Sequence, residues 1–283
     1  MTAVLSLPDL PAFTSPTPAA DSQPLATRVA HALRAGGPVP VALLGAAAHD
    51  ERDGLIALLT LQDAGRRAAR NDATQTVSPI LRAVRGRLER DLVETLGAGR
   101  SRRAGDPVST LRVIANAGAL PDVYRWVASS ASWRELVAFL AIEHVTSAAD
   151  PDGDGASIAT LSRDDMPTDA LRILALDGML TADARRDGEC TGARAVTILR
   201  RPARSRQVVA ALRRLRAPAA VLPYHWRHAR CDPRVAQRRV AEEVAPLASS
   251  AAATQAVVRG ARWRDAAERR LFAELGSRFS ATR

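Results

Sequence analysis

The spacing of apolar residues predicts α-helices along most of the chain. The clearest helix spans residues 79–96, where apolar side chains recur at every fourth position on one face: Ile80, Val84, Leu88, Leu92 and Leu96. Ser78 is suited to cap this helix and Pro79 to its first position, while Gly97 favours its termination. We therefore expect a helix with one buried face here.

Similar periodicity predicts further helices over residues 50–70, 132–147, 167–176, 205–216, 220–231, 234–249 and 261–279. Ser132 and Glu135 have the spacing of a capping box. Only residues 194–199 have the composition of a β-strand, and they follow a turn predicted by the glycines at 188–192. The alternative for residues 168–199 is therefore a helix followed by a wing-like hairpin. The overall prediction is an all-α fold.

The domain boundaries follow from proline content. Residues 1–27 contain five prolines among small polar residues and predict a flexible leader, whereas residues 28–283 predict a single helical bundle domain without internal repeats. We expect no membrane span, because no apolar run approaches about 20 residues. Two cysteines, Cys190 and Cys231, without a signal-peptide pattern favour the cytoplasm.

Charge is distributed unevenly along the chain. All 40 basic residues are arginine, and the net charge is +10. Residues 1–199 carry −3, whereas residues 200–283 carry +13. A basic end of this kind is compatible with nucleic-acid contact. The alternative, which we favour from sequence, is that these arginines form the solvated coat of amphipathic helices.

The segment from Tyr224 to Pro233 carries the most distinctive polar residues. On a helix, His225, His228 and Asp232 would lie at positions i, i+3 and i+7 on one face. Two imidazoles and a carboxylate suit a divalent transition metal, particularly iron. Because Pro233 disfavours helical backbone at Asp232, the alternative is that Asp232 caps the next helix.

Acidic residues in three other segments are further candidates for a site. Asp150 and Asp154 alternate with glycine and proline as in a calcium loop, but position twelve is Leu161, so a solvated turn is expected. Glu143 and His144 are expected to form a surface pair. Asp63, within an otherwise apolar helix, is expected to pair with a neighbouring arginine.

Residues 212–275 resemble the heme-oxygenase-like diiron oxidases, the iron-containing redox enzyme family. The family carries the pattern aromatic-x-x-x-His-x-x-x-Asp-x-x-His after an Arg-Arg-Leu, and a Gly-Ala at a final long helix. The matching residues here are Arg213-Arg214-Leu215, Tyr224, His228, Asp232, Val244-Ala245-Pro246-Leu247 and Gly260-Ala261-Arg262. Weaker similarity extends over roughly residues 50–280.

The resemblance implies a heme-oxygenase-like helical bundle in which one or two irons activate dioxygen. His228 and Asp232 match ligand positions, and by the same resemblance Asp63, Asp150 and Asp154 fall at other ligand positions. Two positions depart from the pattern, because Val235 and Ile198 replace a histidine and a glutamate. Valine and isoleucine cannot bind a metal, so the ligand set is incomplete.

Three functions follow as expectations. The first is an iron-dependent oxidase or oxygenase that acts on an amino-acid-like small molecule. The second is a catalytically degenerate scaffold or partner subunit with the same fold. The third is a basic helical protein that binds nucleic acid, which we consider the weakest of the three. Among partners we expect a small-molecule substrate and no membrane, with a homodimer as an option.

Overall fold

The computed structural model describes residues 79–97, 106–117, 121–147, 166–217 and 222–280, together with six positions between 52 and 62. Within these residues the backbone forms helices and no strand, which confirms the all-α prediction. The helices are α1 Pro79–Leu96, α2 Pro107–Ala117, α3 Asp122–Ser129, α4 Trp133–Ser147, α5 Thr168–Ala182, α6 Asp187–Arg214, α7 Pro223–Ala229, α8 Pro233–Val244 and α9 Ala251–Ser280. The predicted leader, residues 1–27, lies outside the described part of the chain.

Local sequence rules account for several helix ends. Helix α1 begins at Pro79 and ends before Gly97, whose positive φ of 88° and hydrogen bond to the Glu94 carbonyl close the last turn. The predicted capping box precedes α4. The Ser132 N–H donates to the Glu135 carboxylate at 2.7 Å, and the Glu135 N–H donates to the Ser132 hydroxyl at 3.3 Å.

Residues 194–199, the one segment with strand character in the sequence, are helical in the structure. Helix α6 runs without interruption from Asp187 to Arg214 and includes residues 188–199, so the alternative of a wing-like hairpin is wrong. The glycines that suggested a turn instead allow close contact between helix backbones. A Cβ on Gly192 would lie 1.8 Å from the Val257 carbonyl oxygen, and one on Gly260 would lie 1.9 Å from the Glu189 carbonyl oxygen. Helices α6 and α9 therefore cross in direct backbone contact.

The buried apolar residues fall into two clusters around this helix pair. The larger cluster extends from Leu55 to Leu275 and includes residues of α1, α3, α4, α5, α6 and α9. The smaller one joins α2, α6, α8 and α9, with Leu111, Val196 and Val240 fully buried. Among the described helices, none is both long enough and apolar enough to cross a membrane.

Candidate functional site

A network of charged side chains lies buried between α6 and α9. Glu268 of α9 is only 1% exposed, and both of its carboxylate oxygens accept hydrogen bonds from guanidinium groups. Arg264 donates to it at 2.8 Å, Arg200 donates at 2.8 Å, and Arg204 donates through both terminal nitrogens. We call these four residues the arginine–glutamate network.

The electrostatics of the network depend on pairing. Burial alone would raise the pKa of Glu268, but the Arg204 and Arg264 guanidiniums outweigh burial and hold that pKa well below its ordinary value. Asp177 accepts from Arg264 at 2.9 Å, yet burial outweighs this bond and raises the pKa of Asp177. Arg200 also pairs with Asp265. Each carboxylate at the bundle centre is therefore hydrogen-bonded to at least one neighbouring guanidinium.

A second chain of polar side chains links four helices, α3, α4, α7 and α6, near the network. The Tyr124 hydroxyl of α3 donates to Glu143 Oε1 of α4 at 2.6 Å, and Glu143 Oε2 lies 4.0 Å from His225 Nε2 of α7. His225 Nδ1 in turn lies 3.4 Å from the Ser205 hydroxyl. Burial, and then the Glu143 charge, raise the pKa of Tyr124 well above its ordinary value.

Glu143 is therefore not the surface residue that the sequence predicted. Its side chain is 12% exposed, because the helix face that carries it turns towards α3 and α7. Glu143 Oε2 is buried and has no hydrogen-bond partner among the described residues. A buried carboxylate oxygen without a donor is unusual, since such groups are nearly always satisfied in folded proteins.

An open cleft of about 780 Å³ reaches the network from the surface. Its inner wall includes Arg200, Arg204, Glu268 and Phe272, and the Arg204 guanidinium carbon lies 4.9 Å from the centre of the Phe272 ring. Arg204 Nε is buried and has no acceptor among the described residues. The remaining walls come from α2, α3, α6 and α9 and include Asn116, Ala117, Pro121, Asp122, Leu199, Arg269, Ala273, Gly276 and Ser277.

The three predicted ligands of residues 225–232 occupy different environments. His225 has a side chain that is 11% exposed, and its Nε2 lies 4.0 Å from Glu143 Oε2. His228 packs with its ring centre 4.5 Å from that of Tyr224. Asp232 is exposed and caps α8, because its carboxylate accepts from the Arg234 N–H at 2.9 Å. This is the capping arrangement that Pro233 suggested as the alternative.

The other predicted ligand positions lie outside the described residues or carry apolar side chains. Asp63, Asp150 and Asp154 are not among the described residues. Ile198 is buried in the smaller apolar cluster, whereas Val235 is 45% exposed. Within the ranges that the structure describes, no three His, Cys, Asp or Glu side chains are grouped so that they could hold a metal ion.

The network itself was not predicted from sequence. The amphipathic pattern predicts that the arginines of residues 200–283 are solvated, but Arg200, Arg204 and Arg264 are each less than 10% exposed. The spacing held the clue, because Arg200 and Arg204, like Arg264 and Glu268, stand four residues apart and so share a helix face. Comparison of the chain with protein-family models, with curated proteins and with solved structures finds no match.

Proposed function

We propose that this chain is a metal-independent relative of the heme-oxygenase-like bundles that binds a small anionic molecule in its cleft. The observation that carries the proposal is Arg204. Its guanidinium forms part of the cleft wall, and its Nε has no acceptor among the residues that the structure describes. A buried donor without a partner costs about 1–3 kcal/mol, and an anionic oxygen of a ligand would remove that cost.

The charges of the core support binding without a metal. Glu268 accepts four hydrogen bonds from guanidinium groups, which leaves its oxygens poorly placed to bind a cation. Asp177 and Asp265 are likewise bonded to arginines. Because three guanidiniums already neutralise these carboxylates, a divalent ion there would meet positive charge. The described core thus does not fit a pair of irons.

The cleft favours a ligand with one carboxylate and one apolar part. Arg204 and the half-exposed Arg269 offer donors for a carboxylate, as guanidiniums bind planar anions well. Phe272 and Leu199 offer apolar surface on the neighbouring wall. This chemistry agrees with the amino-acid-like substrate that the sequence resemblance implies.

Thermal unfolding tests this proposal with benzoate, L-phenylalanine and the neutral analogue benzyl alcohol as probes. A ligand at 100 times its dissociation constant stabilises a protein by about 2.7 kcal/mol. We expect a stabilising shift with benzoate or L-phenylalanine and a smaller shift with benzyl alcohol. If neither carboxylate stabilises the protein, the proposal is wrong.

Two glycine variants show whether the probe occupies the cleft. Gly276 lies in the cleft wall, and a Cβ built on it meets nothing within 4 Å, so Gly276→Leu fills the cleft without a backbone clash. Gly86 in α1 is equally unobstructed and lies outside the cleft lining. We expect Gly276→Leu to remain folded and lose the response, and Gly86→Leu to retain it. Equal responses from the two variants would contradict binding in this cleft.

One observation favours the iron-dependent oxidase as a second candidate. Within the described part of the chain, Glu143 Oε2 is buried and has no hydrogen-bond donor, and it lies 4.0 Å from His225 Nε2. A carboxylate oxygen and an imidazole nitrogen placed in this way would suit a single metal ion. Further ligands would have to come from His228 or from Asp63, Asp150 and Asp154. Iron analysis of protein from iron-supplemented cells tests this candidate. It requires near-stoichiometric iron that is lost in Glu143→Gln and in His225→Ala.

A further inference from the structure

The second half of α6, together with α7 and α8, carries an unusual excess of positive charge. Residues 201–240 contain eleven arginines and a single acidic residue, Asp232. Arg204 is buried in the network, but nine of the other ten are exposed. Arg214 donates to the Val127, Ala128 and Ala131 carbonyls, and Arg239 pairs with Glu243. We call the remaining exposed residues the arginine face: Arg206, Arg213, Arg216, Arg227, Arg230, Arg234 and Arg238.

The arginine face belongs to helices that pack on one another. Helix α7 lies against the second half of α6, since His225 contacts Ser205 and the Trp226 ring centre is 5.2 Å from the Arg213 guanidinium carbon. Helix α8 continues along the first half of α6, where Val240 shares a buried cluster with residues of that helix. The arginine face is therefore drawn from α6, α7, α8 and the residues that directly follow α6 and α7, and both α7 and α8 pack on α6.

The described residues contain no carboxylate within 4.0 Å of any guanidinium of the arginine face. Exposed arginines elsewhere are often paired, as in Arg125–Asp122, Arg269–Asp265 and Arg278–Glu274. The preference of the whole chain for arginine over lysine does not explain this difference. The same preference applies to residues 1–199, which nevertheless carry a net charge of −3.

We propose that the arginine face binds the phosphate backbone of nucleic acid. A concentration of uncompensated guanidiniums creates a strong local positive potential, and guanidiniums bind phosphate oxygens in pairs of hydrogen bonds. Contacts of this kind release counterions and are independent of base sequence. The expected affinity is that of non-specific binding, with a dissociation constant of roughly 10⁻⁴ to 10⁻⁶ M at physiological salt.

An anionic membrane is a less suitable ligand for the arginine face than nucleic acid. A helix that binds in a membrane interface must insert an apolar face. The apolar face of α8, with Ala236, Val240 and Val244, is already buried against the bundle. Nucleic acid requires only the charged side.

Fluorescence anisotropy with a short labelled DNA duplex of mixed sequence tests the proposal. In the double variant Arg234→Glu/Arg238→Glu both changes are at exposed positions of α8. Each phosphate contact contributes a factor of about 5.5 at 0.15 M salt, so loss of two contacts should weaken binding by at least about 30-fold. The slope of log affinity against log salt should become shallower by about 2.

The matched control is Arg112→Glu/Arg134→Glu, which changes the net charge equally at exposed positions of α2 and α4. We expect the control to bind the duplex within about twofold of the unmodified chain, since phosphate contacts act locally. Equal weakening in the two double variants, or affinity that does not vary with salt, would overturn the proposal. So would binding to phosphatidylserine vesicles without binding to the duplex. The Gly276→Leu variant should bind the duplex normally, which separates this inference from the cleft.

Discussion

Replacement of Glu268 by glutamine should strongly destabilise the protein. The carboxylate is buried and neutralises the guanidiniums of Arg200, Arg204 and Arg264 through four hydrogen bonds. Glutamine keeps the shape of the side chain but removes its charge and directs an amide donor at guanidinium donors. Removal of one partner from a buried ion pair costs about 3–5 kcal/mol, because the other charge stays buried without compensation.

Urea denaturation followed by circular dichroism measures this loss. A loss of about 3–5 kcal/mol is a large fraction of the roughly 5–15 kcal/mol that stabilises a typical domain. The matched control is Glu242→Gln at an exposed position of α8, which should change the free energy of unfolding by no more than about 0.5 kcal/mol. If Glu268→Gln is no more destabilising than this control, the network does not stabilise the fold as we describe.

Three further predictions test the fold. The pKa of Glu268 in the folded protein lies below its ordinary value of 4.5. The ionised carboxylate therefore stabilises the fold above pH 4.5, and this contribution is lost as the pH falls from 4.5 through the lower, folded-state pKa. The free energy of unfolding, measured as a function of pH, should show this loss in the unmodified chain and not in Glu268→Gln. Gly192→Ala should cost about 1–3 kcal/mol or more through its clash with the Val257 carbonyl, whereas Gly86→Ala should stabilise by up to about 1 kcal/mol; thermal unfolding separates them. Ser132→Ala should cost about 1 kcal/mol in urea denaturation, and an unchanged midpoint would contradict the capping box.

Structural features that depend on residues close together in the chain could be predicted from the sequence. The fourfold apolar spacing of residues 79–96 and the proline and glycine at its ends predicted α1 within its observed bounds. The reciprocal bonds of Ser132 and Glu135 followed from their spacing alone. Such features require only the geometry of one helix, which the sequence determines directly.

The sequence was insufficient where distant residues meet. Gly188 and Gly192 suggested a turn because nothing in the local sequence shows that α9 packs against their backbone. Arg200 and Glu268 are 68 residues apart, so their ion pair depends on the crossing of α6 and α9. Local spacing likewise left two interpretations of Asp232, and the structure shows it capping α8.

The ratio of iron to protein, after expression with supplemented iron and gentle purification, decides between a metal-independent bundle and an iron-dependent oxidase. The carboxylates of the bundle centre are bonded to arginines, and we propose that the cleft binds its ligand without a metal. We therefore expect iron far below one equivalent and no change in the ratio upon His225→Ala. Iron near one or two equivalents that disappears in His225→Ala would contradict metal-independent binding and favour the oxidase.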